Sequence, residues 1–78
     1  MRYGKFSIQR DLIYEGSNAL LMLRDVLVTR AESIFHLDAI EYIGISKHFE
    51  DVELGAVIPR YFAEIDELYK TVTWIKDE

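Results

Sequence analysis

The sequence has no cysteine, one proline (Pro59) and four isolated glycines: Gly4, Gly16, Gly44 and Gly55. Without cysteine there is no disulfide framework, no thiolate nucleophile and no zinc ribbon. Isolated glycines build no phosphate-cradling loop. No apolar run approaches the ~20 residues of a membrane-spanning helix. The start, Met1-Arg2-Tyr3-Gly4-Lys5, lacks the apolar stretch of a secretory signal. No serine stands in a Gly-x-Ser-x-Gly context, and no repeat or low-complexity tract occurs. These absences predict one soluble, cytoplasmic domain, 1–78, with no membrane partner.

What is present is apolar and acidic. Half of the 78 residues are hydrophobic and 13% are aromatic, which excludes a disordered chain. A chain this short buries only about 60–65% of the surface its unfolded form exposes. With no disulfide or metal motif as a staple, its stability must come from an aromatic core or from self-association. One helix on a small sheet does not cover ten aromatics, and this surplus predicts a homodimer.

The net charge is −5 and unevenly spread. Residues 1–30 carry five basic and three acidic side chains, a net of +2; residues 31–78 carry four and eleven, a net of −7. An acidic chain is repelled by phosphate backbones, which argues against direct nucleic-acid binding. Arg2, Lys5 and Arg10 interleave with Tyr3, Phe6 and Tyr14, the composition of a base-stacking strand. Three cations are few, and an ordinary strand with an aromatic core face explains the same pattern.

Residues 5–14 alternate apolar and polar and predict a strand. Glu15-Gly16-Ser17-Asn18 breaks the chain, with Ser17 or Asn18 as cap of a helix over 18–32. Its apolar stripe is Ala19, Leu20, Leu23, Val26, Leu27 and Ala31. Residues 34–45 predict a long strand whose alternation shifts near Ala39 and Ile40, as at a bulge. Gly44 there marks a bend or a close backbone approach. Residues 46–59 form a connector pinned by Phe49, Val52, Leu54 and Val57. Residues 60–75 predict a hairpin with its loop at 66–70; a helix over 59–70 is the competing reading. Lys76-Asp77-Glu78 reads as a frayed end. The fold class is therefore α+β in the order β-α-β-β-β, with one amphipathic helix packed on an antiparallel or mixed sheet of about four strands.

Few constellations carry chemistry. His36 and His48, with a nearby carboxylate, could contribute to a metal site, but their spacing matches no ligand motif. The carboxylates Glu50-Asp51-Glu53 and Glu64-Asp66-Glu67 could serve acid–base chemistry only across a cleft that so short a chain can hardly wall. No catalytic, cofactor-binding or metal residue is assigned, and no cofactor is expected. The profile resembles, in type and without any shared motif, small inhibitors and accessory proteins of phages and other mobile elements.

The leading expectation is thus a non-enzymatic protein-binding module, an inhibitor or adaptor with an acidic-aromatic surface and a partner that bears a basic one. Tyr61, Tyr69 and Trp74 are its expected anchors, ringed by Glu50, Asp51, Glu53, Asp66 and Glu67. Tyr61 and Trp74 equally fit a core. The alternatives are a self-assembling structural protein, joined through opposite charges and strand edges, and a small ligand-binding or catalytic homodimer that uses His36 or His48.

Overall fold

The computed structural model describes residues 1–53 and 55–77. Its elements are β1 (Tyr3–Gln9), α1 (Arg10–Glu15), α2 (Ser17–Leu23), β2 (Leu27–Ile34), a 3₁₀ turn (Phe35–Leu37), β3 (Ala39–Ile45), β4 (Tyr61–Asp66) and β5 (Thr71–Lys76). The strands form two antiparallel sheets, one in the order β1-β3-β2 and one the hairpin β4-β5. The chain is broadly α+β and rich in strand.

The differences from the sequence reading have local causes. The strand predicted over 5–14 stops at Gln9, because Leu12-Ile13 breaks the period of two and α1 begins at Arg10. Gly16, at φ +91, then separates two short helices, a backbone state that L side chains rarely adopt. Neither Ser17 nor Asn18 is the helix cap; Gly16 holds that position, and the Ser17 hydroxyl donates to Glu15 at 2.5 Å. The single helix over 18–32 does not form. After Leu23 the chain turns, and Leu27–Ile34 pairs with β3 instead. The β-branched and apolar run Val26-Leu27-Val28-Thr29 suits a strand, and pairing overrides the helical spacing of the apolar residues.

The long strand over 34–45 is two elements. The 3₁₀ turn ends at Asp38 in the left-handed region (φ 50), and β3 starts at Ala39, which accounts for the shift in alternation. The bulge lies elsewhere, in β2 between Val28 and Arg30. Gly44 is a site of close approach: a Cβ there would meet Val26 Cγ1 at 2.5 Å and the Leu27 carbonyl oxygen at 3.0 Å. The hairpin forms as expected, with Asp66 opposite Thr71, and the helix over 59–70 does not. Among the connector residues, Phe49 is buried and Val52 half-buried, whereas Val57 is exposed and Leu54 lies outside the described residues. Asp77 is held, its N–H donating to the Arg60 carbonyl at 2.8 Å; Glu78 lies outside the described residues.

Two β units meet through rings. Phe6, Phe49 and Tyr61 are buried, with Ile8, Ala19, Met22 and Val26 beside them and Tyr42 and Trp74 packed against them. Phe6 lies 5.5 Å from Tyr42 and 4.8 Å from Trp74; Phe49 stacks on Tyr61 at 4.6 Å and meets Trp74 edge-on at 5.3 Å. Such pairs add about 0.5–1.5 kcal/mol each beyond the area they bury. At the free side of β1, the Lys5 N–H donates to the Pro59 carbonyl at 3.0 Å. The Arg60 guanidinium then reaches the Ser7 hydroxyl at 3.1 Å and pairs with Glu41 of β3. No helix among the described residues is long and apolar enough to cross a membrane.

Candidate functional site

Period-two alternation in β4 and β5 sorts the hairpin into two faces. Tyr61, Ala63, Ile65, Val72 and Trp74 turn toward the rest of the molecule and are buried or half-buried. Phe62, Glu64 and Asp66 of β4, with Thr71, Thr73 and Ile75 of β5, form the exposed face. The register places Phe62 opposite Ile75, Glu64 opposite Thr73 and Asp66 opposite Thr71. The face thus has an apolar end and an acidic end.

The tip continues the acidic end. Asp66 Oδ1 accepts the N–H groups of Leu68 at 3.0 Å and Tyr69 at 3.3 Å, which orders the turn. Lys70 follows in the left-handed region at φ 56. Leu68 and Tyr69 project into solvent, Tyr69 with 73% of its surface exposed. Among the described residues no ion pair neutralises Glu64, Asp66 or Glu67.

The residues expected at one surface fall into three places. Tyr61, only 4% exposed, is a core residue: its ring stacks on Phe49 and its hydroxyl accepts the Glu50 N–H at 2.8 Å. Trp74 belongs to the same aromatic cluster. Tyr61 is corrected from an anchor to a core residue, and Trp74 packs on the same rings while staying half-buried; both share the inward phase of the alternation. Glu50, Asp51 and Glu53 are exposed but sit by the open end of the hairpin, where Lys76 pairs with Glu50 at 3.0 Å. Glu53 there lines a groove of about 420 Å³ together with Tyr3, Arg30, Ile43 and Ile58. Asp66, Glu67 and Tyr69 occupy the tip, roughly 17 Å away at ~3.4 Å per strand residue. The structure does not merge these acids into one patch. Phe62, Ile75, Leu68 and Glu64 were absent from the expected set, although the alternation that turns Tyr61 inward already turns Phe62 and Glu64 outward.

Two carboxylates are electrostatically distinct. The N-terminal ammonium, 2.7 Å from Asp51, holds that carboxyl below the usual carboxylate range, with Arg2 adding to the effect. Glu15 is lowered chiefly by its hydrogen bond from Ser17, then by the backbone N–H groups of Asn18 and Ser17 and by the Lys70 charge. Both are exposed; Asp51 lines a shallow groove with Glu50, Glu53 and Lys76.

The histidines do not meet. His36 is exposed in the 3₁₀ turn before β3, and His48 follows the far end of β3, so the strand separates them by about 20 Å. His48 Nε2 lies 3.5 Å from Asp25. No cluster of three His, Asp or Glu with metal-ligand geometry occurs among the described residues. No protein-family model, curated protein or solved structure matches this chain.

Proposed function

We propose that this chain is a non-enzymatic protein-binding module that presents the outer face and tip of its β4-β5 hairpin to a partner with a basic surface. One observation carries the reading: exposed apolar side chains (Phe62, Ile75, Leu68 and Tyr69) lie beside three carboxylates that have no ion-pair partner among the described residues. Interfaces combine apolar and aromatic anchors with charges that steer encounter and fix register. Carboxylates already neutralised within the chain would steer little. An acidic surface disfavours nucleic acid and favours cations on a protein. An inhibitor or adaptor role follows from binding without chemistry, and a cysteine-free chain suits a reducing cytoplasm.

The test is affinity capture with the whole chain and with two variants, Phe62→Ser/Tyr69→Ser and Glu64→Gln/Glu67→Gln. Circular dichroism establishes that each stays folded. The reading expects one stoichiometric protein that resists nuclease, is lost with the first variant and is weakened with the second. Capture unaltered by either variant would place the interface elsewhere and end this assignment.

A further inference from the structure

β2 is an outer strand of its sheet, and among the described residues no strand pairs with its second side. Seven of its eight residues are exposed. An open strand edge is a template for another strand, and most proteins blunt it with charge, bulges or cover. The charges on β2 have a particular order. Arg30 and Glu32 flank Ala31, share one face of the sheet, and lie 3.8 Å apart as a loose, exposed pair.

We propose that β2 pairs antiparallel with β2 of a second copy of this chain, about a two-fold axis through Ala31. Side-chain phase admits only registers in which like-facing residues stand opposite each other. An axis at Arg30 sets arginine against arginine, and an axis at Glu32 sets glutamate against glutamate. An axis at Ala31 sets Arg30 of each copy against Glu32 of the other, twice, with two small alanines at the centre. Cross-strand ion pairs stabilise a ladder and like charges oppose it, so the sequence selects this register. A two-fold operator is the symmetry that a self-complementary edge requires.

The regular stretch is short. The bulge between Val28 and Arg30 ends it, so the paired residues are Arg30, Ala31 and Glu32 of each copy, and Leu27 on the far side of the bulge lies outside the ladder. The six-stranded sheet so formed runs β1-β3-β2 and then the same strands of the second copy in reverse. It leaves the β4-β5 hairpin outside the interface, so this inference stands or falls apart from the binding function proposed above.

Sedimentation over a wide concentration range should show a reversible dimer. Arg30→Glu alone, or Glu32→Arg alone, turns two attractive pairs into two repulsive ones and should weaken the dimer by about tenfold or more. The double reversal should restore it. The cysteine-free chain also permits a direct register test. Ala31→Cys should oxidise to a disulfide-linked dimer, since paired residues lie within disulfide reach. Ser33→Cys, whose two copies stand about 13 Å apart along the strands, should not. Both positions are exposed, so neither change touches the core. A chain monomeric at every concentration would overturn the proposal. So would a dimer indifferent to both reversals, or Ser33→Cys linking as readily as Ala31→Cys.

Discussion

The two outer strands of the three-stranded sheet are opposites. β1 alternates buried and half-buried residues along most of its length, its side chains reach the aromatic core, and Pro59 and Arg60 close its free side. β2 is exposed almost throughout, and no strand among the described residues pairs with its outer edge. Both pair with β3 over seven residues of their own. Strand pairing alone therefore does not set a strand's weight in the fold; what its two faces and its second edge meet does.

The largest effect that tests this contrast is Phe6→Ala. Phe6 is 1% exposed and touches three other rings, and its truncation should cost about 3–5 kcal/mol in denaturant unfolding. Leu27→Ala on β2, measured at dilution, should stay within about 0.5 kcal/mol. Equal losses would erase the distinction. A smaller effect is expected at Gly4 of β1, where a Cβ would come within 2.8 Å of ring atoms of Phe49 and Tyr61. Gly4→Ala should cost about 1–3 kcal/mol by overpacking, read from the shift in urea midpoint; no shift would mean the two rings yield freely.

The smallest effect concerns the tie at the start of β1. Asp51 has a folded-state pKa below its ordinary value, because its charged form is stabilised by the N-terminal ammonium. Its contribution is present above the unfolded value, near pH 4, and is lost as pH falls through the lower folded value. Asp51→Asn should lower stability slightly at neutral pH, flatten part of the acid limb, and leave the acid end nearly unaffected. Glu15, lowered by Ser17, should keep its own part of that limb. An unaltered acid limb in Asp51→Asn would show that the ammonium contact contributes nothing.

The same contrast explains what could be read from the sequence. The β4-β5 hairpin was legible because one of its faces is buried, so Tyr61, Ala63 and Ile65 alternate with exposed Phe62, Glu64 and Asp66. The β1 alternation was legible for the same reason, up to the adjacent Leu12-Ile13 that carries the chain into α1. β2 imprinted no period, because neither of its faces is covered. Its Leu27 and Ala31 happened to continue the helical spacing of Ala19 and Leu23, yet both are exposed. The acidic, exposed character of Asp66, Glu67 and Tyr69 was visible in composition alone. The inward phase of Tyr61 and Trp74 was not, because it depends on which hairpin face meets Phe6 and Phe49, a contact between distant segments.

The joint between the two β units also has an optical consequence. Trp74 is the sole tryptophan, and it stands at that joint, against Phe6 from the sheet and Phe49 from the connector. Its emission therefore reports the docking of the hairpin separately from the backbone signal of the strands. If the hairpin swings away while both sheets persist, fluorescence shifts to the red before far-ultraviolet dichroism changes. If the two signals move together, docking and folding are one cooperative event.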